Sequence, residues 1–116
     1  MRLITDDLPK IDEVTVAQIE QVLGGEAFGK FAVLMSSDEA FIQAACVWEP
    51  GGQSRRFIEE TGSDPFQLEY REKTTGRLFV ADGNRTLAEV TRAFIGYLNG
   101  QTDWLMRFTW REIDSR

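Results

Sequence analysis

Apolar residues recur at helical spacing in two segments of this chain, and both segments begin with the same capping signal. In the first, Thr15 precedes Gln18 by three residues, which is the spacing of a capping box. Apolar side chains then fall on one helical face until the pair Gly24-Gly25. The second segment opens with Thr86 and a glutamate three residues later, and Asn99-Gly100 ends it. The pattern predicts an N-terminal and a C-terminal helix.

Between these helices the pattern changes to that of β-strands. Two apolar runs, at 31–35 and 41–48, flank a polar turn cluster and predict an antiparallel hairpin. A second hairpin is predicted over 66–80, because apolar and polar residues alternate along its first strand. Closing its turn symmetrically sets Tyr70 opposite Phe79, and such an aromatic pair contributes up to about 1 kcal/mol.

This second hairpin has apolar residues on both of its faces. In the predicted register, Leu78 and Val80 share a face with Glu69 and Arg71. That face is either covered by a second layer, for which the first helix is the candidate, or free to meet a partner. The pattern alone leaves both arrangements open.

Two other segments are less regular. We interpret residues 55–60 as a more exposed strand or an irregular edge, and whether residues 53–62 form a strand stays open. The tail contains Trp104, Phe108 and Trp110, which must be held against the body because they would otherwise expose a large apolar patch. Its spacing predicts a short helical turn followed by an extended segment that begins at Trp110.

The order of these elements is typical of an α+β domain. We expect residues 1–116 to form a single domain with a mainly antiparallel sheet of four to five strands, an N-terminal helix and a C-terminal helix. A chain of 116 residues, 42% apolar and 28% charged, is long enough to bury a core.

The residue types that most small enzymes depend on are nearly absent. The chain has no histidine and one cysteine, Cys46, so a Ser–His–Asp triad, a Cys–His pair and a histidine-containing zinc site are excluded. We therefore expect no catalytic residues, no metal and no cofactor. Cys46 lies within an apolar run, which favours a small buried hydrophobic residue. One cysteine gives no sign of an oxidising compartment, and no apolar stretch reaches membrane-spanning length, so we expect a cytoplasmic protein.

Charge is unevenly distributed along the chain, whose net charge is −6. Residues 1–64 carry 12 acidic and 5 basic residues, whereas residues 65–116 carry 7 acidic and 8 basic residues. The acidic half would repel phosphate backbones and attract a basic protein surface. We expect another protein as the partner, with neither nucleic acid nor a membrane, and a homodimer stays open. The alternative is that the acidity only keeps the protein soluble.

Five residues are the candidates for binding that partner. Tryptophan is enriched at binding hot spots, and Trp48 ends a predicted strand beside Glu49 and a Pro-Gly-Gly turn. The doublet Glu59-Glu60 and the strand residue Glu69 would supply negative charge to a basic partner. The alternative for Glu59-Glu60 is an ordinary solvated face, since neighbouring acids point apart and do not form a catalytic pair.

Several of these segments together resemble small uncharacterised bacterial proteins, which look like the immunity proteins that accompany polymorphic toxins. The resemblance rests on Phe41-Ile42-Gln43-Ala44-Ala45, Leu68-Glu69-Tyr70-Arg71-Glu72, Thr86-Leu87 through Ala93-Phe94 to Gly100, Trp104, and Phe108-x-Trp110. It implies a strand-rich body followed by a helix and a terminal tryptophan. It also implies a protein that acts by occupying a toxin, so no catalytic residues are carried over.

The leading hypothesis is therefore a non-enzymatic cytoplasmic binding protein that occludes a partner, such as an immunity-type inhibitor. One alternative is a secretion chaperone, which would be a dimer that holds an extended segment along an exposed sheet. A second alternative is a histidine-free enzyme or a domain that binds a small molecule. Either function would require Glu69, Tyr70, Arg71 and Arg77 to converge on one pocket.

Overall fold

One antiparallel sheet organises the described part of the chain. The computed structural model describes residues 1–24 and 29–113. In order, the elements are β1 (Arg2–Thr5), α1 (Val16–Ile19), a π-helical segment (Glu20–Gly24), β2 (Phe31–Ser37), β3 (Ala40–Cys46), α2 (Gly52–Thr61), β4 (Phe66–Arg71), β5 (Leu78–Ala81), α3 (Leu87–Leu98), α4 (Asp103–Met106) and β6 (Trp110–Ile113). The prediction of an α+β domain with an antiparallel sheet is confirmed.

The sheet is larger than predicted, with six strands in the described residues instead of four to five. Each strand pairs with the next one in sequence, so the spatial order is β1-β2-β3-β4-β5-β6. The strand that the pattern did not indicate is β1, which pairs with β2 through Leu3 opposite Leu34. The edge of β1 that faces away from β2 is paired at one point, where Leu3 and Ile11 exchange two backbone hydrogen bonds of 2.9 Å.

The interpretation of residues 55–60 as a strand is wrong, because α2 occupies residues 52–61. Ser54, Phe57 and Ile58 share one side of this helix at i, i+3 and i+4 spacing, and Ser54 is buried. The helix ends at Gly62, which has a φ of 74° and donates its N–H to the Ile58 carbonyl at 2.7 Å. That left-handed conformation suits glycine, which lacks a Cβ.

Both predicted helix starts are confirmed. Thr15 and Thr86 each accept a hydrogen bond from the backbone N–H three residues on, and the side chains of Gln18 and Glu89 reach back to complete the capping boxes. The first helix changes from α to π geometry at Glu20, and the predicted stop at Gly25 lies outside the described residues. No helix in the described ranges has the length and apolar character needed to span a lipid bilayer.

The core lies between one face of the sheet and the helices. Helix α3 packs against β3 and β4 and also contacts α1, the π-helical segment and α4. The strands contribute Leu3, Ala32, Leu34, Ile42, Ala44, Phe66, Leu68 and Ala81 to this core, and the helical segments contribute Ile19, Val22, Leu23, Leu87, Val90, Ala93, Phe94 and Trp104. We call this side of the sheet the core face.

An aromatic cluster holds the tail against the core face, as predicted. The Tyr70 ring stacks on Phe79 at 5.1 Å between centroids and meets Trp104 and Trp110 edge-on at 5.2 and 4.7 Å. The Trp104 indole N–H donates to the Gln101 carbonyl at 2.8 Å, so its polar edge is satisfied. Aromatic pairs in such geometry stabilise a fold beyond the area they bury.

Asp6 ties the end of β1 to the start of β2. Its carboxylate accepts backbone hydrogen bonds from Gly29, Lys30 and Phe31 at 3.1, 2.7 and 3.3 Å. Desolvation raises the pKa of this carboxyl, but the backbone hydrogen bonds together lower it by more, and its pKa lies below the ordinary value. A β-carbon at Gly29 would overlap the Asp6 and Asp7 carboxylates, so the absence of a side chain there permits this contact.

Candidate interaction surface

Alternation along β4 sends neighbouring side chains to opposite sides of the sheet. Tyr70 joins the aromatic cluster on the core face, whereas Glu69 and Arg71 point to the other side, which we call the outer face. Glu69 pairs with Val80 and Arg71 pairs with Leu78, so the predicted register is confirmed.

This alternation prevents the small-molecule pocket that the sequence left open. Such a pocket requires Tyr70 beside Glu69 and Arg71, but the sheet separates Tyr70 from them. Arg77 forms a salt bridge of 3.6 Å with Glu112, whose register partner is the core-face residue Phe79. The four side chains therefore do not converge on one site.

The outer face consists of rows of side chains that run across the strands. The first row crosses the six described strands. The second row also crosses them, two residues further along each strand, and a shorter third row crosses only β2, β3 and β4. The rows are Ile4, Val33, Gln43, Glu69, Val80 and Arg111; then Arg2, Met35, Phe41, Arg71, Leu78 and Ile113; then Phe31, Ala45 and Gln67.

Apolar side chains on the outer face are partly exposed, except Val80, which is 4% exposed. None of the outer-face residues belongs to the core cluster of the described part of the chain. Phe31 is 38% exposed, and Ile4, Val33, Met35, Phe41, Leu78 and Ile113 are each partly exposed. Helix α3, which packs against β3 and β4, lies on the core face. The outer face therefore carries both apolar and charged side chains that are open at least in part to solvent.

Glu69 is held in the middle of the outer face by two neutral amides. Gln43, directly opposite on β3, donates to Glu69 Oε1 at 3.2 Å, and Gln67 donates to Oε2 at 3.2 Å. Both carboxylate oxygens therefore have a partner, but no described cation forms a salt bridge with this carboxylate. The arrangement fixes the position of a negative charge without neutralising it.

Arg71 lies next to Glu69 on the outer face and has the opposite charge. The guanidinium carbon of Arg71 lies 5.5 Å from the centre of the Phe41 ring, within the range of a cation–π contact. Its Nε is buried and has no hydrogen-bond partner in residues 1–24 and 29–113. Among the described residues it forms no salt bridge either.

Trp48 and Glu49 lie in the connection from β3 to α2. The Trp48 side chain is 50% exposed, and Glu49 is exposed. The backbone N–H of Glu49 donates to the Ser54 hydroxyl at 3.1 Å, which fixes this connection to the first turn of α2. Trp48 is thus presented to solvent on an anchored segment.

Glu59 and Glu60 lie on the exposed side of α2, in its last turns. The same helix carries Arg55 and Arg56, so it has no net charge over these four residues. The structure therefore places the five predicted residues at three positions. Trp48 and Glu49 precede α2, the Glu59-Glu60 doublet follows one helix length later, and Glu69 lies on the sheet.

A cleft of about 440 Å³ connects two of these positions. It is lined by Val47, Glu49, Ser54, Gln67 and Asn84, together with residues 50–53. Gln67 is also an outer-face residue that binds Glu69. The connection before α2 and the outer face therefore form adjoining surfaces.

The residues that sequence reasoning missed are Gln43 and Gln67, which hold the Glu69 carboxylate. Gln43 meets Glu69 only through the β3–β4 register, and α2 separates these strands in sequence. The interruption of an apolar run by Gln43 was the one available signal.

The remaining candidate chemistry is limited. Cys46 is a free, partly buried thiol that packs against the core, as a small hydrophobic residue would. Over residues 1–24 and 29–113, no three cysteine or acidic side chains are grouped so that they could hold a metal ion.

These features define an α+β domain in which α3 packs on the core face of an antiparallel sheet and the outer face carries mixed apolar and charged side chains. Comparison with protein-family models, curated proteins and solved structures found no match to this chain.

Proposed function

We propose that this chain is a non-enzymatic protein-binding domain that docks its partner on the outer face and the adjoining β3–α2 connection. The observation that carries the proposal is the set of partly exposed apolar side chains on the outer face, such as Phe31, Phe41 and Leu78. Burying apolar surface of this kind against a partner is favourable by about 25 cal/mol per Å².

The size of the outer face suits a protein partner. Six strands spaced by ~4.8 Å, with a rise of ~3.4 Å per residue, give a surface on the order of 500 Å². Each side of a typical specific complex buries about 800 Å². Trp48 and the exposed side of α2 adjoin this face and supply the remaining area in our proposal.

Each predicted residue then has a role in binding. Trp48 is the apolar anchor that enters a pocket of the partner. Glu49, Glu59, Glu60 and Glu69 face basic residues of the partner and speed association through charge. The proposed action is steric occlusion, as for an immunity-type inhibitor that covers a toxin in the cytoplasm, and the acidic composition of residues 1–64 supports a partner with a basic surface.

The test begins with capture of the tagged protein from its own cells and continues with the purified prey. We expect Phe31→Glu and Trp48→Ala to weaken the reconstituted complex at least tenfold, because each removes apolar burial at the interface. Met106→Glu is the matched control, since Met106 is 87% exposed but lies on α4, away from the outer face. Equal affinity for all three variants and the wild type would contradict the proposed surface.

Two further measurements test the finer parts of the proposal. If the prey is a toxin, cells that produce it should survive only when this chain is present and able to bind. Reproducible turnover of a metabolite by the purified chain, lost on one point substitution, would contradict the non-enzymatic assignment.

A secretion-chaperone-like dimer is the second candidate, and the outer face is the observation that favours it. Rows of apolar side chains across six strands offer a surface on which an extended segment can lie. This function requires a dimer in solution. A monomeric mass by light scattering at micromolar concentration would contradict it and leave the first proposal standing.

A further inference from the structure

Arg71 is a cation on the outer face that lacks the anion its geometry suits. Its guanidinium lies over the Phe41 ring, and its buried Nε has no hydrogen-bond partner among the described residues. Because the Nε is closed to solvent, an incoming anion would bind the terminal Nη groups, which form no salt bridge with any described residue.

The described part of the outer face does not supply that anion. Glu69 is the acidic residue of the three rows, and both of its oxygens accept hydrogen bonds from Gln43 and Gln67. The register places Phe41 and Leu78 on the two sides of Arg71. The guanidinium is therefore a fixed cation between two partly exposed apolar side chains.

The charges of the outer-face residues also favour a negatively charged group on the partner. Its rows contain Arg2, Arg71 and Arg111 but only Glu69 with negative charge, whereas the protein as a whole has a net charge of −6. Arg2 is paired with Asp12 at 3.2 Å, which leaves Arg71 and Arg111 without an ion pair among the described residues. This face is locally positive on an acidic molecule.

We propose that the partner segment which docks on the outer face carries a carboxylate that Arg71 binds, with apolar residues on both sides of that carboxylate. The inference rests on the proposed protein-binding function and specifies the chemistry of the partner. An arginine can bind a carboxylate with two parallel hydrogen bonds, which fixes the position of the segment. The flanking apolar residues contact Phe41 and Leu78, and the basic residues of the same partner meet Glu49, Glu59 and Glu60 outside this face.

The experiment selects peptides from a phage library of random sequences against the full chain, and then measures synthetic peptides by calorimetry. We expect the selected peptides to share an aspartate or glutamate between apolar residues. Arg71→Gln should weaken such a peptide by roughly 10- to 100-fold, which is the range for a lost hydrogen bond to a charged group. Arg71→Lys should restore part of the affinity, since lysine keeps the charge but not the two-point geometry.

Matched controls separate Arg71 from general charge effects. Arg92→Gln removes an equal charge from the exposed side of α3, which packs on the core face, and should leave the affinity unchanged. Replacing the acidic residue of the peptide by its amide should weaken binding to the wild type but not weaken binding to Arg71→Gln further. The peptide substitution requires no protein variant, so the test holds even if Arg71→Gln folds poorly.

The outcomes distinguish this inference from the proposed function. If Phe31→Glu and Leu78→Glu abolish peptide binding but Arg71→Gln does not, the carboxylate inference is wrong and the docking face stands. Selected peptides that lack an acid also overturn the inference. If no selected peptide is sensitive to Phe31→Glu, the docking face itself is wrong. A dimer that Leu78→Glu dissociates would assign the face to a second copy of the chain and overturn the inference.

Discussion

Replacing Trp104 by alanine should cost far more stability than the same change at Trp48. Trp104 is 5% exposed and contacts Tyr70 and Trp110 in the aromatic cluster, whereas Trp48 is 50% exposed on the connection before α2. The two substitutions remove the same atoms, so they differ only in what those atoms contact. This pair tests whether the cluster stabilises the fold and whether Trp48 is available for binding.

The expected magnitudes follow from burial. Truncating a buried aromatic residue costs about 3–5 kcal/mol, a large part of the roughly 5–15 kcal/mol that stabilises a domain. Trp104 is 5% exposed and Trp48 is 50% exposed. For a side chain of ~250 Å², Trp104 therefore buries about 110 Å² more than Trp48, which at ~25 cal/mol per Å² is worth about 3 kcal/mol of stability. We therefore expect Trp48→Ala to cost less than about 2 kcal/mol.

Urea denaturation followed by circular dichroism gives both free energies of unfolding. A second pair sharpens the test, because a β-carbon at Gly96 would lie 3.1 Å from Trp104 Cδ1. Gly96→Ala should be more favourable in the Trp104→Ala background, where that crowding is gone and alanine gains about 1 kcal/mol of helix propensity. A loss below about 1 kcal/mol for Trp104→Ala, or equal losses at both tryptophans, would refute the reasoning.

Three other measurements test individual contacts. The pKa of Asp6 is lowered in the fold, so its contribution to stability is complete above its ordinary value of 3.8 and is lost as the pH falls through the folded-state value. The Asp6→Asn variant should lose less stability than the wild type as the pH falls, which urea denaturation at a series of acid pH values measures. Burial, followed by the charge of Glu72, raises the pKa of Tyr70 above 10.0. The stability that the neutral phenol contributes is therefore lost as the pH rises through the folded-state pKa. Ultraviolet titration of the wild type, with Tyr70→Phe as the reference, measures that pKa. Thr86→Ala should lower the free energy of unfolding by about 1 kcal/mol through loss of the α3 cap, and a change below about 0.3 kcal/mol would contradict that role.

Local signals explain which parts of the fold could be predicted. The capping boxes at Thr15 and Thr86 involve residues three positions apart, so the sequence displays them directly. The pairing of Tyr70 with Phe79 also depends on one short turn, and the alternation of side chains sets its register. Each of these features is decided within about a dozen residues.

The missed elements depend on contacts that are distant in sequence or weak in pattern. Strand β1 is four residues long and pairs with β2, which begins at residue 31. Helix α2 has two apolar residues, Phe57 and Ile58, and its buried position is the polar Ser54. Gly51 provides no side-chain cap for this helix. A helix with such a narrow apolar stripe is difficult to distinguish from an exposed strand.

The sequence could predict which residue types share one face of the second hairpin, but not how residues from the other strands are arranged around them. The sequence placed Leu78 and Val80 on the face of Glu69 and Arg71, which is the part of the outer face that one hairpin determines. The rest of the face requires the β3–β4 register, which brings Gln43 to Glu69 across the length of α2. No local pattern encodes that contact.

Strand β4 presents different chemistry on its two faces. Tyr70 faces the aromatic cluster, whereas its two neighbours, Glu69 and Arg71, lie on the outer face. Substitutions at Tyr70 and Arg71 should therefore affect unfolding through different contacts, and a double-mutant cycle measures any coupling between them. A change at Tyr70 removes ring contacts to Phe79, Trp104 and Trp110, whereas a change at Arg71 removes its contact with the Phe41 ring. We expect the larger loss of stability at Tyr70, because its ring has three aromatic partners and the Arg71 guanidinium has one.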